Sequence, residues 1–255
     1  MRLFFQNLAV AFGMYSKIPM PHFEWNEKNM RYAMCFFPFI GAVLGGITIG
    51  VYFLLGYIGL GRMASAAVMV VLPIIITGGI HIDGLLDTAD AISSYQTRER
   101  RLEILKDSHA GAFAIIFGIG YFILDYGFKT ELDLRSVLLV AVGYMLSRAL
   151  SALAVVSFNC ASKSGLVKTF SDSAAKKAVQ VSSIIYMLIA AALMLYISPV
   201  VGAICIVMTA LVFLYYRLMS YSRFGGINGD LAGYFVQVCE LFILMAAVIG
   251  GRVCF

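Results

Sequence analysis

Long apolar runs separated by short polar segments dominate the chain. Each run is close to the twenty or so residues that an α-helix needs to cross a bilayer. The runs are 36–58, 64–80, 110–128, 137–158, 181–197, 199–219 and 232–250. Only a short break precedes the sixth run, where Pro199 supplies the turn. The pattern predicts an all-α, polytopic bundle of about seven membrane-spanning helices, organised as one domain over residues 1–255.

Residues 3–15 form a shorter apolar run that is flanked by Arg2 and Lys17. A secretory signal peptide is a weak interpretation of this run, because Lys17-Ile18-Pro19 is a poor cleavage site. We predict instead a short helix that lies at the membrane interface.

Composition supports a membrane protein. Hydrophobic residues make up 61% of the chain and charged residues 13%, whereas soluble domains have about 25% charged residues. This balance excludes a disordered chain and argues against an ordinary soluble enzyme. The basic residues are dispersed among short loops, so no nucleic-acid partner is expected. The five scattered cysteines show no CxxC pair, which argues against zinc and against a disulfide framework.

The distribution of lysine and arginine predicts orientation. Fourteen of them fall in segments on one side of the predicted spans, four fall on the other side, and Arg148 lies inside a span. The positive-inside rule places the richer side in the cytoplasm. The N-terminus is then cytoplasmic and, with seven spans, the C-terminus is outside.

Three carboxylates follow the second run at positions i, i+4 and i+7: Asp83, Asp87 and Asp90. On a helix they fall within an arc of about 60°. Like charges at this spacing destabilise an isolated helix, which favours a bound cation over a merely solvated face. Oxygen ligands without nearby cysteine favour Mg²⁺, with manganese or calcium as alternatives.

A second acidic series contains Glu99, Glu103 and Asp107, interleaved with basic residues. For the two glutamates a solvated amphipathic helix is the better interpretation. Asp107 differs because it leads directly into Ser108-His109-Ala110-Gly111, at the start of the third span. His81 and His109 flank the acidic segment, where each is a candidate for phosphate contact, acid–base chemistry or hydrogen bonding to a functional group.

The C-terminal part combines glycines with acids. Residues 223–233 are glycine-rich and carry Asp230 at the start of the last span. Glycines let a backbone approach a ligand closely, and a helix N-terminus attracts phosphate. Glu240 lies inside that span, where an ionisable group is a functional candidate, although pairing with Arg148 explains it equally well. Asp125 lies late in its span, near the outer face.

The residues alone therefore indicate a membrane enzyme for Mg²⁺-assisted phosphoryl chemistry. Gly79-x3-Asp83-x3-Asp87 is similar to half of the signature of CDP-alcohol phosphotransferases, but the other half is missing from residues 64–77. A transporter that uses Asp125, Arg148 and Glu240 is a less favoured alternative, since the acids cluster at one membrane face.

A closer resemblance is carried by two long blocks, 81–90 and 101–113. The first reads His-Ile-Asp-Gly-Leu-Leu-Asp-Thr-Ala-Asp and the second Arg-Leu-Glu-Ile-Leu-Lys-Asp-Ser-His-Ala-Gly-Ala-Phe. Shorter matching pieces are 16–21, 36–41 with Gly45, and 225–230. Together they cover nearly the whole chain in order, and it resembles the cobalamin synthase (adenosylcobinamide-GDP ribazoletransferase) family.

The resemblance implies a multi-pass enzyme of the cell membrane that joins α-ribazole, or its 5′-phosphate, to adenosylcobinamide-GDP and releases GMP. Its implied cofactor is Mg²⁺, and its active site is cytoplasmic. Homo-oligomer formation and association with other cobalamin-pathway enzymes stay open.

The resemblance also implies roles for individual residues. Asp83, Asp87 and Asp90 hold the metal, and Asp107 or Asp230 assists as ligand or base. Candidates for contact with the substrates are His81, Arg98, Arg101, Lys106, His109, Gly226, Gly229 and Glu240.

Overall fold

The computed structural model describes residues 2–21, 23, 30–107, 109–162 and 174–254. Within them the chain forms ten α-helices, with a 3₁₀ turn at Ala33–Phe36 leading into the second. The helices are α1 Arg2–Tyr15, α2 Phe37–Tyr57, α3 Arg62–Thr77, α4 Ile80–Ser93, α5 Arg98–Ile104, α6 Ala112–Lys129, α7 Leu134–Ser157, α8 Lys176–Ile197, α9 Pro199–Phe224 and α10 Gly229–Cys254. Ser108 and three of the fourteen basic residues counted for orientation, Lys28, Lys163 and Lys168, lie outside the described ranges.

Six of the described helices are long and apolar enough to cross a membrane: α2, α6, α7, α8, α9 and α10. Helices α3 and α4 pass the same test only together, as a pair bent by 97°, which brings the number of crossings to as many as seven. The predicted all-helical, multi-pass architecture is confirmed. Because α4 carries three aspartates in fourteen residues, we place it outside the apolar layer.

Local sequence explains where the helices begin. Pro199 is the first residue of α9, and Ser198 before it is extended, so the predicted break between the fifth and sixth runs is confirmed. Asp133 caps α7 by accepting a hydrogen bond from the Ser136 amide at 2.7 Å.

Helix α7 lies at the centre of the bundle, since 89% of its 18-residue apolar stretch is buried. The corresponding stretches of α6 and α8 are 22% buried, so these two helices face lipid. Helix α2 packs on α7 through Gly41 and Gly45. A Cβ at Gly41 would collide with the Tyr144 carbonyl group, and one at Gly45 with the Ala141 carbonyl group. Small residues let transmembrane helices approach this closely, and the shared backbone contact fixes the centre of the bundle.

The helix ends fall into two sets, because successive spans alternate in direction. At one end the Lys17 amide donates to the Ile76 carbonyl at 2.7 Å and the Ala175 amide donates to the Arg31 carbonyl at 2.9 Å. At the other end Arg252 pairs with Glu131. The first set includes α4 and the N-termini of α6 and α10, and we call it the acidic end.

Asp125, which lies late in its span, is not exposed to solvent. It is buried, and its carboxylate accepts a hydrogen bond from the Lys129 ammonium at 2.8 Å. Lys129 also donates to the Met69 carbonyl at 3.1 Å. The two opposite charges lie one helical turn apart and pair away from water. Lys129, one of the four basic residues counted on the less basic side, is therefore a buried partner of Asp125 and not a loop residue.

Candidate active site at the acidic end of the bundle

A sharp turn after α3 positions the first acidic segment. Gly78 and Gly79 both adopt left-handed backbone angles, with φ of 70° and 78°. Glycine takes this conformation at no steric cost. The turn directs α4 away from α3 and lays it across the start of α10 and beside α6.

The packing of α4 on α10 joins two segments that are more than a hundred residues apart. A Cβ added at Gly84 would lie 2.6 Å from the Asp230 carbonyl oxygen, and one at Gly233 would lie 3.3 Å from the His81 Cα. The backbones therefore touch without side chains between them. The structure thus brings the start of α4, with Asp83, against the start of α10, with Asp230.

Four carboxylates share this junction. Burial, followed in order of effect by the negative charges of Asp83, Asp230 and Asp90, raises the pKa of Asp87 to about 6. Asp83 is exposed, whereas Asp87 and Asp230 are half-buried. Carboxylates held this close in an apolar protein favour a positively charged ligand.

Asp90, a member of the predicted metal set, has a partner of its own at the start of α6. Its carboxylate lies against Gly111 and accepts a hydrogen bond from the Ala114 amide at 3.4 Å. Those residues open α6, so Asp90 caps that helix from a neighbouring element. Among the described residues, no three His, Cys, Asp or Glu side chains are close enough to hold one ion. Metal binding by Asp83, Asp87 and Asp90 stays a prediction.

The remaining carboxylates still fit Mg²⁺. This ion is usually held by one or two carboxylates together with substrate phosphates and water, without a complete protein cage. Asp83 and Asp87 lie one turn apart on α4, and both contribute to the same negative field as Asp230. The donor set contains only oxygen, as Mg²⁺ requires.

The basic residues of α5 contact the end of α9. The Arg98 guanidinium covers Gly225, and the buried Arg101 donates to the Arg223 carbonyl at 3.5 Å. Cations stabilise the last turn of a helix, which gives both arginines a structural role. Lys106 is exposed beyond the end of α5. Contact of these three residues with a nucleotide stays a prediction.

Helix α5 ends at Ile104, so Asp107 is not part of the same helix as Glu99 and Glu103. Glu103 pairs with Arg100 at 2.7 Å in solvent, which fits the solvated interpretation. Asp107 and His109 form their own pair at 2.7 Å, and both side chains are exposed. The hydrogen bond from His109 lowers the pKa of Asp107. A direct role of this pair with substrate stays a prediction.

Gly226 has a structural role, and its predicted contact with phosphate stays a prediction. Its amide donates to the Ser220 carbonyl at 3.2 Å, and a Cβ at this position would collide with the Asn159 carbonyl. The next residue, Ile227, donates to Asn159 at 2.9 Å. Glycine here lets two chain segments cross. Gly229, in contrast, opens α10 beside Asp230.

Glu240 forms an ion pair with Arg148, the alternative to a functional role given above. Its carboxylate accepts hydrogen bonds from Arg148 at 2.6 Å and from the Ser147 hydroxyl at 3.0 Å. Arg148 is 1% exposed and Glu240 is 8% exposed. The pair lies inside the bundle, between α7 and α10, and explains both ionisable residues without a substrate.

A cavity of about 350 Å³ lies next to the acids. Asp83, Asp230 and Gly229 form one side of it, and His81 forms part of the wall. The other wall residues that matter below are Tyr15, Met34, Phe37, Val155 and Ala232. Sequence reasoning missed these apolar positions because they carry no chemical signature. The family-like pieces 16–21 and 36–41, which lie beside Tyr15 and Phe37, were the available signal.

The fold and the site define a multi-pass membrane enzyme whose acidic residues and adjoining cavity lie at one end of a helical bundle. Comparison with known proteins makes this specific. The model of the family described as cobalamin-5-phosphate synthase matches residues 7–248. The chain belongs to this family.

Curated relatives agree over the full length. A protein of Lachnoclostridium phytofermentans named adenosylcobinamide-GDP ribazoletransferase is 50% identical over 95% of this chain and 93% of its own. Proteins of the same name from Clostridium perfringens strain 13 and Halalkalibacterium halodurans are 29% and 30% identical, over 98% and 92% of this chain and 100% and 92% of their own. No solved structure matches this chain. The predicted family is confirmed.

Proposed function

We propose that this chain carries out the last step of nucleotide-loop assembly in cobalamin biosynthesis. It transfers adenosylcobinamide phosphate from adenosylcobinamide-GDP to α-ribazole, or to its 5′-phosphate, and releases GMP. Support comes from family membership and from the relative that is 50% identical and named for this transfer. The structural observation that carries the proposal is the junction of α4 and α10, where carboxylates adjoin a cavity.

The reaction exchanges the phosphoanhydride bond of the diphosphate for a new phosphate ester bond. A ribose hydroxyl attacks the phosphorus that carries cobinamide, and a new P–O bond forms. The bond from that phosphorus to the bridging oxygen of the diphosphate breaks, and GMP leaves with the bonding electrons. The proton of the hydroxyl passes to a carboxylate, for which Asp230 is our candidate because it lines the cavity.

The side chains of α4 supply the charge balance in this proposal. Asp83 and Asp87 would hold Mg²⁺, and Asp230 would stay available as a proton acceptor. When bound, Mg²⁺ neutralises charge on the diphosphate and on the leaving GMP. Asp90 is left out of the ligand set, since its carboxylate caps α6.

Transport is less well supported. The intramembrane groups that a polar pathway would use are engaged with each other, Asp125 with Lys129 and Glu240 with Arg148. Charges satisfied in this way stabilise a closed bundle. The CDP-alcohol phosphotransferases remain the alternative enzyme class, distinguished by the nucleotide that is released.

Product analysis tests the function. Membranes that carry the protein should convert adenosylcobinamide-GDP and α-ribazole to adenosylcobalamin, with one GMP per product and only when Mg²⁺ is present. Asp230→Asn should lower kcat by roughly 10²–10⁴, the contribution of a positioned acid–base group, without reducing the amount of protein in the membrane. Release of CMP from a CDP-alcohol, with no GMP from the corrinoid, would replace the proposal by the alternative.

Orientation in the cell membrane is a further part of the proposal. The positive-inside bias places the acidic end, the N-terminus and the active site in the cytoplasm, and the C-terminus outside. In a cysteine-free background, a cysteine at Ser93 should react only with reagent supplied from the cytoplasmic side. A cysteine at Asp133, at the opposite end, should react only from outside. Labelling of Ser93 from outside would reverse the assignment; Ser171, another position suited to this test, lies outside the described residues.

A further inference from the structure

The cavity beside the acids is lined by two unlike surfaces. Tyr15, Met34 and Phe37 give it an aromatic and sulfur-containing wall from the N-terminal part of the chain. Asp83 and Asp230 give it a polar side from α4 and α10. A ligand that fills it must therefore be apolar at one end and polar at the other.

One buried polar atom in the wall has no partner. His81 is 5% exposed and packs against the Phe37 ring, with centroids 5.8 Å apart. Its Nδ1 is buried and makes no hydrogen bond within the described part of the chain. Buried polar atoms are usually paired, so His81 has an unsatisfied nitrogen next to the cavity.

Size excludes the corrin ring of the larger substrate from the cavity. Pockets that enclose small ligands are roughly 300–1,000 Å³, and this cavity of about 350 Å³ is at the lower limit. A corrin ring with its nucleotide is several times larger than a nucleoside and cannot enter. A nucleoside with a two-ring base is of the right size.

We propose that this cavity is the binding site of the nucleoside acceptor, with its aromatic base held among Tyr15, Met34 and Phe37. This inference rests on the proposed function. The base stacks or packs edge-on against the aromatic wall and contacts methionine sulfur, both favourable geometries for an aromatic ring. The His81 imidazole belongs to the same wall, and the ribose hydroxyls face Asp230. The corrinoid diphosphate approaches Asp83 and Asp87 from outside the cavity.

Narrowing the cavity tests this assignment. Val155 is 3% exposed, lies on α7 and lines the wall. Val155→Phe should raise KM for α-ribazole about tenfold, within the range known for a few atoms in an apolar pocket. KM for adenosylcobinamide-GDP should change less than about twofold. The KM for benzimidazole riboside, which lacks both methyl groups of the α-ribazole base, should rise less. The variant should therefore prefer the smaller base.

Further variants separate this effect from misfolding. Leu153→Phe is the matched control, because Leu153 lies on the same helix, is half-buried and does not line the cavity. It should leave both KM values unchanged. Ala232→Val narrows the same cavity from α10 and should reproduce the preference for the smaller base if Val155→Phe is poorly folded. Binding of α-ribazole alone to the purified full chain should weaken in both narrowing variants.

The outcomes are distinct. A higher KM for adenosylcobinamide-GDP with an unchanged KM for α-ribazole would assign the cavity to the corrinoid or the guanine nucleotide and overturn the inference. Unchanged kinetics in both narrowing variants would show that no substrate uses the cavity. If the wild-type protein released no GMP at all, the proposed function itself would fail, a result that the narrowing variants do not produce.

Discussion

Asp87→Asn should abolish GMP release while making the metal-free protein more stable. The amide keeps the size of the side chain but cannot bind a divalent cation as a carboxylate does. Loss of several kcal/mol of charge stabilisation in the transition state corresponds to about a thousandfold in kcat. The same substitution is therefore expected to lower activity and to raise the stability of the metal-free protein.

The stability gain follows from the direction of the pKa change. Burial and the neighbouring carboxylates raise the pKa of Asp87 from 3.8 to about 6, so the ionised form destabilises the folded state above pH 6. This destabilisation decreases as the pH falls below 6. The full change corresponds to about 3 kcal/mol, and partial exposure of the side chain reduces it to about 1 kcal/mol.

The measurement is a pair of melting curves in detergent without Mg²⁺, at pH 7.5 and pH 5, together with a GMP assay. Asp87→Asn should melt above the wild type at pH 7.5, and the difference should shrink at pH 5. Glu99→Gln is the control, since Glu99 is exposed on α5 and should change neither quantity. Near-normal turnover of Asp87→Asn with unchanged Mg²⁺ dependence would remove this residue from the site.

The spans were predictable because lipid and backbone chemistry leave a continuous sequence signal. An apolar run of about twenty residues has few alternatives to a membrane helix. The bend between α3 and α4 was harder to foresee. It depends on left-handed angles at Gly78 and Gly79, and glycine permits many conformations besides this one.

The acidic segment was predicted in position but not in detail. Spacing alone gives Asp83, Asp87 and Asp90 the same helix face, yet it cannot show that Asp90 meets the N-terminus of α6. The partner of an intramembrane charge was equally open, because Arg148 and Glu240 are 92 residues apart in sequence. Contacts between distant segments come from packing, which a periodic pattern does not encode.

The cavity wall was the least predictable part. Phe37 and Val155 look like any other apolar residues of a span, and only the fold places them beside His81 and Asp230. The chemistry of a carboxylate can be read from its residue type, whereas the shape of a cavity requires the arrangement of several helices. For this reason the acidic residues were found from sequence and the proposed nucleoside site was not.

Replacing Glu240 alone should have the largest effect on stability. Glu240→Leu leaves Arg148 charged and buried, and within the described residues the Tyr144 carbonyl at 2.9 Å is then its one hydrogen-bond acceptor. Removing one partner of a buried ion pair costs about 3–5 kcal/mol. We expect little folded protein after extraction, measured as the monodisperse fraction in size-exclusion chromatography and as a lower melting temperature.

The double variant Arg148→Met/Glu240→Leu should recover most of this loss, because neither charge is then left unpaired in the bundle. The methionine should also keep the contact with Phe37, whose ring lies 5.9 Å from the Arg148 guanidinium carbon. The same variant decides between the two interpretations of Glu240. If the pair is structural, the refolded double variant should release GMP at a rate close to the wild type. If Glu240 binds substrate, the double variant should be folded and inactive, and Glu240 would return to the active site.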